Sequence, residues 1–471
     1  MSKEDLDGMR RFIERRVPEL MAQRRVPGLS IAVVEGEEVV YAEGFGVRDV
    51  ERSLPATPDT LYGIGSCTKS FVALAILQLV ERGEISLDDP VSKYIPLKIG
   101  IPGKPITVHH LLTHSSGIPS LGTSTIALSR GIRGDVGIPF GSADDFYRHI
   151  NGAQEEIADE PGRSFFYLNA GYRMLGDIIQ RVSETPFDVY IREEILKPLK
   201  MTRTTFSKAE FEGDADRMTP YIKDKEGRLV PSKFPYPEVR SNPEFSFIAA
   251  AGGMLSSVRE LTNYLRMNID GGRFGNVELL SPELMEEMQR IHIERPPGLY
   301  GRNGYGYGWG VIENFLGHKL VSHGGSILVS TAYLAFVPEE RIGVAMASNI
   351  AGFPYAPITQ GIFAALMGKD PEEVVPLLRI WRRMDLLTGT YEIYRGLSRV
   401  KVVKQGGLLY LERGGWFSEM RVPLIPERED MENYEFYIYS EGVKQPVKFV
   451  VELPEKIDLY IERNRYHKVK A

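Results

Sequence analysis

Between residues 4 and 24, apolar side chains such as Phe12, Ile13 and Val17 recur among charges at helical spacing, which predicts an amphipathic helix. Two alternating runs follow, 29–34 and 38–45, separated by Glu35-Gly36-Glu37, the pattern of a β-hairpin. The character then changes. Ser70-Phe71-Val72-Ala73-Leu74-Ala75-Ile76-Leu77 is almost wholly apolar, so the helix predicted from Ser66 to about Arg82 is a buried one, and Gly83 stops it. Residues 100–245 read as loops and helices, including 170–182 and 187–195, with little strand signal. Strands return at 307–313, 319–322, 331–336 and 342–348. Strands at both ends with helices between predict an α+β fold: one antiparallel sheet flanked by helices, plus an all-helical subdomain. A cleft between the halves is the expected place for a site.

After about residue 365 the pattern changes again. Asp370-Pro371-Glu372-Glu373 opens a short helix through Trp381-Arg382-Arg383. Seven or eight short strands follow in the remaining stretch: 389–394, 399–404, 408–412, 416–422, 434–439, 447–452 and 457–462 among them. Gly406-Gly407, Gly414-Gly415 and Glu441-Gly442 punctuate them. Such a meander must close to hide its edges, which predicts a small all-β up-and-down barrel filled by its own side chains.

Composition narrows the functional classes. The chain has 471 residues, 43% hydrophobic and 25% charged, ordinary for a globular protein of two or three structural units. Its formal net charge of −6 offers nothing to nucleic acid, and the Arg10-Arg11 and Arg15-Arg16 cluster reads as a solvated helix face. The single cysteine, Cys67, excludes an intrachain disulfide. Met1 to Gly8 lacks the apolar core of a signal peptide, and no segment reaches membrane-spanning length, so a cytoplasmic location without membrane contact is expected.

The chemistry concentrates in three places. Ser66-Cys67-Thr68-Lys69 sets a hydroxyl and an amine on one helix face, one turn apart. A serine needs a base to become a nucleophile, and a lysine serves as that base only when desolvation leaves it partly neutral. Cys67, one position on, is rotated about 100° away and reads as packing. About a hundred residues later comes Tyr167-Leu168-Asn169, where Asn169 also suits the N-cap of the helix that follows. The third is His323-Gly324-Gly325-Ser326, whose plain alternative is a turn before Ile327. His109, His110 and His114 lie close in sequence but lack a Cys, Asp or Glu partner, so no metal is expected.

In that order, the three pieces resemble the serine β-lactamase and penicillin-binding-protein superfamily, in its class C, D-peptidase and esterase branch. Val26-Pro27-Gly28-Leu29-Ser30, Leu111-Leu112-Thr113-His114-Ser115-Ser116-Gly117, Ala250-Ala251-Gly252-Gly253 and Tyr305-Gly306-Tyr307-Gly308-Trp309-Gly310 match the same branch, and the resemblance runs from about residue 5 to 365. It implies that Ser66 is the nucleophile, that Lys69 and Tyr167 share the base role, and that the N–H groups of Ser66 and Ser326 form the oxyanion hole. It also implies substrate contacts at Asn169, Gly324 and Gly325. His323 stands where many relatives carry Lys-Thr-Gly, which favours peptidases and esterases over β-lactamases. Leu386-Leu387-Thr388-Gly389-Thr390-Tyr391 looks like the opening strand of lipocalin-like barrels behind some members, most like the compartment-forming CubicO-group serine peptidases.

The resulting expectation has a hydrolase domain at 1–368, a helical linker at 369–386 and a lipocalin-like barrel at 387–471. The expected function is hydrolysis of peptide or small amide substrates, D-residues included, through an acyl-enzyme on Ser66, by a homo-oligomer without a cofactor. A carboxylesterase on the same site is the alternative. A non-catalytic scaffold or ligand-binding protein is the reading from another class. Substrate preference is expected to lie in the loops at 118–160 and 205–245.

Overall fold

The computed structural model describes residues 2–133, 142–235, 249–414, 420–452 and 456–469. Two compact units divide the chain, Met1–Phe363 and Ala364–Ala471. In the first, the hairpin Gly28–Glu35 and Glu38–Asp49 forms as its alternation predicts. Gly28–Glu35 pairs on its other side with Ile342–Ser348, from Leu29↔Ser348 to Glu35↔Ile342, which joins the two ends of the unit in one antiparallel sheet. That sheet has nine strands in the order 293–298, 301–305, 310–315, 318–326, 331–337, 342–348, 28–35, 38–49, 54–55. Helix Val258–Ile269 packs on its centre, so the central strands are buried and read as near-continuous apolar runs.

Three departures from the sequence pattern have local causes. Ile293–Gly298 and Gly301–Tyr305 are strands that the pattern did not suggest, because Pro296-Pro297 and three glycines dilute the β signal. Prolines are tolerated there since Ile293–Gly298 is an edge strand. The strand predicted at 307–313 starts only at Gly310, since Gly308 has φ +75° and a Cβ there would sit 2.9 Å from the Lys69 carbonyl oxygen. The strand predicted at 319–322 extends through Ser326 and carries the whole His-Gly-Gly-Ser segment, so that segment is not a turn.

The helical half is built round Thr68–Glu81, in which every residue from Thr68 to Leu79 is buried. Helices Asn169–Ser183, Phe187–Ile191 and Ala249–Gly252 pack on it. Among the described residues no helix is long and apolar enough to cross a membrane.

The second unit contains helix Pro376–Leu387 and a closed eight-strand antiparallel barrel, sealed where Tyr391 pairs with Lys468. Its eighth strand, Asn464–Lys468, follows a turn at Glu462 and is polar enough to escape pattern reading. The strand predicted at 416–422 runs from Met420 to Pro426, with 415–419 outside the described residues. Tyr391, Val402, Leu411, Phe436, Phe449 and Leu459 belong to one buried apolar cluster, which Met384 and Leu387 of the helix join.

Candidate active site

Ser66 lies in a single 3-10 turn, Gly65–Cys67, that feeds the buried helix Thr68–Glu81. The turn is held from beneath. Thr68 Oγ1 donates to the Gly65 carbonyl at 2.7 Å and accepts the Met254 N–H at 3.2 Å, while the Ile64 N–H donates to the Met254 carbonyl at 3.0 Å. The Cys67 thiol is buried and donates to the His323 carbonyl at 3.2 Å, and burial pushes its pKa up to about 12, an inert thiol.

One turn along, Lys69 is fully buried, with Ser66 Oγ at 3.0 Å, Asn169 Oδ1 at 2.7 Å and the Ala251 carbonyl at 2.6 Å from its Nζ. The Asn169 and Ala251 oxygens can only accept. A neutral amine therefore gives them its two N–H bonds and is left with its lone pair facing the Ser66 hydroxyl. Burial acts in the same sense, lowering the ammonium from its ordinary value to about 7. Asn169 is the first residue of its helix and its side chain makes no cap, so the carboxamide is spent on Lys69 rather than on the helix end.

Tyr167 reaches the same point from a loop. Its ring centroid is 4.9 Å from Lys69 Nζ, and its hydroxyl is hydrogen-bonded to Ser66. Burial raises the phenol well above its ordinary value, and the bond from Ser66 offsets only part of this. The surroundings thus oppose the phenolate that one sequence-based alternative required.

The His323 strand completes the group. A Cβ on Gly325 would overlap the Ile64 carbonyl and come within 2.8 Å of the Ser66 nitrogen, and one on Gly65 would collide with the Ser326 nitrogen. These two glycines let the Ser66 turn and the strand touch backbone to backbone, which brings the Ser66 and Ser326 nitrogens to one spot. Gly324 points the other way, towards Tyr333. His323 is buried between two partners: Nδ1–H donates to the Gly324 carbonyl at 2.7 Å, and Nε2 accepts the Tyr305 hydroxyl at 2.8 Å. A carbonyl cannot donate, so Nδ1 carries a proton, and burial keeps a second one off Nε2. Burial, with Lys69 adding to it, lowers its pKa to about 3. The pH-dependent charge that a histidine allows at this place is therefore withdrawn by its surroundings.

Several contributors carried no role in the sequence reading. Ala251, inside the Ala-Ala-Gly-Gly stretch, supplies a backbone acceptor that no side-chain pattern encodes. Tyr305 belongs to a matched motif but is tied to His323 only by the fold. His114 accepts the Leu168 N–H on Nδ1 at 3.0 Å and the Phe166 N–H on its carbonyl at 2.8 Å, and its ring lies 4.2 Å from that of Tyr167. It thus grips both neighbours of Tyr167. His109 and His110 sit apart from it, bonded to Tyr307 and Thr107, and among the described residues no cluster of three or more His, Cys, Asp or Glu side chains could hold a metal. Residues 134–141 and 236–245 of the predicted specificity loops lie outside the described residues.

Comparison with known proteins identifies the family. Residues 13–365 match the family described as Beta-lactamase, and residues 371–467 match the Pab87 octamerisation domain. The chain is 30% identical over 332 residues to Protein flp of Staphylococcus aureus, covering 69% of this chain and 60% of that protein, so it spans well under the full length of this relative. It is 29% identical over 285 residues to a putative penicillin-binding protein, PbpX, of Bacillus subtilis, covering 60% of this chain and 66% of that one. Among solved structures, the octameric penicillin-binding protein homologue from Pyrococcus abyssi superposes with a TM-score of 0.86 at 42% identity, over 97% of this chain and 99% of the other. EstCE1, a hydrolase with promiscuous acyltransferase activity, shares the fold at 19% identity, with a TM-score of 0.63 over 77% of this chain and 99% of the other. With most of its length matched by one family and nearly all of it superposing on a relative, the chain belongs to the β-lactamase and penicillin-binding-protein family of serine hydrolases, with an octamerisation-type domain behind the hydrolase unit.

Proposed function

We propose that this protein cleaves peptide or amide bonds by way of an acyl-enzyme on Ser66. The observation that carries the reading is the state of Lys69: a buried amine whose two N–H bonds are taken by Asn169 and Ala251 and whose lone pair faces Ser66 Oγ. In the first step Lys69 accepts the Ser66 proton and Oγ bonds to the substrate carbonyl carbon. The negative charge on the carbonyl oxygen is met by the Ser66 and Ser326 N–H groups. The carbon–nitrogen bond then breaks, and the leaving amine takes a proton from Tyr167, which the Lys69 ammonium replenishes. Water attacks the ester on Ser66 and gives a proton to Lys69; the bond from the carbonyl carbon to Ser66 Oγ then breaks, the acid leaves, and the Lys69 ammonium returns that proton to Ser66 Oγ. Asn169 and the Gly325 backbone would border the bound substrate, and His323, as a neutral ring, would brace Tyr305 rather than supply charge.

Intact-mass spectrometry after exposure to a fluorophosphonate tests this on the wild type and on Ser66→Ala. One adduct on the wild type and none on the variant is the expected result. A folded wild type that stays unlabelled would move the non-catalytic reading ahead. Carboxylester hydrolysis uses the same nucleophile, and the protonated Tyr167 is what favours amides, since an amine leaves poorly without a proton and an alcohol less so.

The second unit supports self-association. Its interior is closed by side chains, whereas Tyr394, Leu397, Tyr439 and Val443 are exposed, Leu397 at 79%. All four lie at or beside hairpin turns on one end of an up-and-down barrel. With the octamerisation-domain match, we read this end as the contact between copies. Light scattering should give a homo-oligomer that Leu397→Asp weakens.

A further inference from the structure

One buried titratable group beside the Ser66 site has no part in the chemistry described so far. His114 is 1% exposed and stands in the left-handed region at φ +58°, where a residue other than glycine needs support from its surroundings. Its Nδ1 accepts the Leu168 N–H at 3.0 Å, so the proton of the neutral ring is on Nε2. That N–H is buried without a hydrogen-bond partner among the described residues. The rings of Tyr167, Tyr172 and Tyr305 enclose the imidazole, with centroids 4.2, 5.0 and 4.9 Å from its own. A left-handed backbone and an unpaired buried donor both cost stability. An apolar side chain at 114 would avoid the second cost, which points to Nδ1 as what the imidazole is kept for.

Nδ1 holds a loop. Tyr167 belongs to no helix or strand, and a side chain on a loop is placed only as well as the loop backbone is held. Backbone bonds tie this loop to residues 114–117: Ala158 N–H to the Gly117 carbonyl at 2.9 Å, Gly162 N–H to that of Ser115 at 2.7 Å, and Phe166 N–H to that of His114 at 2.8 Å. The Nδ1 bond carries the attachment two residues further, past Tyr167 to Leu168, where the next helix starts at Asn169. One residue thus pins the chain on both sides of Tyr167. Burial, with Lys69 and His323 adding to it, keeps the imidazole neutral, the state in which Nδ1 can accept. Precision matters here, because a shift of about 1 Å in a reacting group can cost about 10²-fold in rate.

We propose that His114 is a positioning residue of the hydrolase: its bond to Leu168 sets the Tyr167 hydroxyl against Ser66, so that the leaving amine receives its proton. This rests on the hydrolase reading of Ser66 and adds to it the residue that places the proton donor. His114 takes no proton in the reaction and acts through the loop.

The test compares full-length wild type with His114→Asn and His114→Gln. Asparagine presents a carboxamide oxygen near the place of Nδ1 and tolerates a left-handed backbone, whereas glutamine carries its oxygen one bond further out. The probes are the 4-nitroanilide and the 4-nitrophenyl ester of N-acetyl-alanine, with turnover counted per Ser66 that a fluorophosphonate labels. Turnover of the anilide should fall about 10²-fold in His114→Gln and less than about tenfold in His114→Asn. Ester turnover should fall less than about tenfold in both, because an alcohol leaves without the Tyr167 proton. Equal losses on anilide and ester in His114→Gln overturn the proposal, and so does an asparagine variant as slow on the anilide as the glutamine one. His114→Gly, which adopts the left-handed backbone without strain, should show the same anilide-selective loss and replaces His114→Gln if that variant does not fold. Crystal structures give a readout that needs no turnover: the Tyr167 hydroxyl should leave Ser66 in His114→Gln and keep its place in His114→Asn. Unlabelled wild type sinks the hydrolase reading, whereas labelled wild type with Tyr167 unmoved in His114→Gln sinks this proposal alone.

Discussion

The barrel and the Ser66 site bury ionisable groups in opposite ways. In the barrel, the one carboxylate buried among the described residues, Asp458, is met by Arg465 at its Oδ2 and by His467 at its Oδ1, so that although burial pushes its pKa up, these hydrogen bonds outweigh it and hold the carboxyl below its ordinary value. At the Ser66 site, Lys69, His114 and His323 are buried with no carboxylate bonded to them among the described residues, and burial drives each towards its neutral form. Pairing keeps a charge and gives structure, whereas burial without pairing removes the charge and leaves a lone pair. The second arrangement costs stability and is what base chemistry requires.

The largest effect expected from this contrast is at Lys69. Lys69→Arg keeps hydrogen-bond donors on a somewhat longer side chain but cannot become neutral, so turnover should fall by about 10⁴-fold or more even if the variant folds normally. Burst kinetics would show whether acylation is the step lost; a variant that keeps a tenth of wild-type activity would mean that Lys69 holds Ser66 in place and takes no proton. Tyr167→Phe should act less broadly. Peptide turnover is expected to drop by about 10²- to 10³-fold and turnover of an activated ester by less than about tenfold, because only the amine needs a proton to leave. Equal losses on both substrates would remove the proton-donor role.

Titration gives the next, smaller effect. Lys69 works as the free amine, and its pKa in the fold is about 7, so kcat/KM should rise through that pH and level off above it. Below it, activity should fall by about tenfold per pH unit along a single-proton limb. His323, held near 3, should add no inflection between about pH 5 and 8. A second step close to the ordinary histidine value would mean that the Tyr305 and Gly324 bonds open in solution.

Much of this was legible in the chain, and what was missed shares a cause. The buried helix behind Ser66, the hairpin at 28–49 and the glycine-punctuated barrel all rest on local periodicity, and the structure contains them. The positions of Ser66, Lys69, Tyr167 and Asn169 in one cluster follow motifs whose meeting depends on resemblance rather than on periodicity. The Ala251 carbonyl was not legible at all. A backbone acceptor has no side-chain signature. His114 appeared only as one of three nearby histidines, yet its left-handed backbone, φ +58°, turns it away from His109 and His110 and under Tyr167. Long-range placement of that kind is decided by packing between helices and sheet, which one-dimensional spacing does not record.

The smallest expected effect lies in the barrel and tests the other half of the contrast. Asp458→Asn keeps the shape of the buried side chain but removes its charge from Arg465 and His467, whose side chains are about half exposed. Because water can solvate the Arg465 guanidinium and the His467 ring left behind, the loss should be only about 1–2 kcal/mol, well short of that for an ion pair stranded in a core. The sign with pH follows from the lowered carboxyl: its stabilisation is complete above the ordinary aspartate value and is lost as the pH falls through the still lower value in the fold. Thermal melts of wild type and variant should therefore differ at pH 7 and converge in acid, with Ser66 labelling unchanged at neutral pH. A difference that persists in acid would mean that Asp458 stabilises the barrel by shape and neutral hydrogen bonding, and the paired-charge side of the comparison would fail.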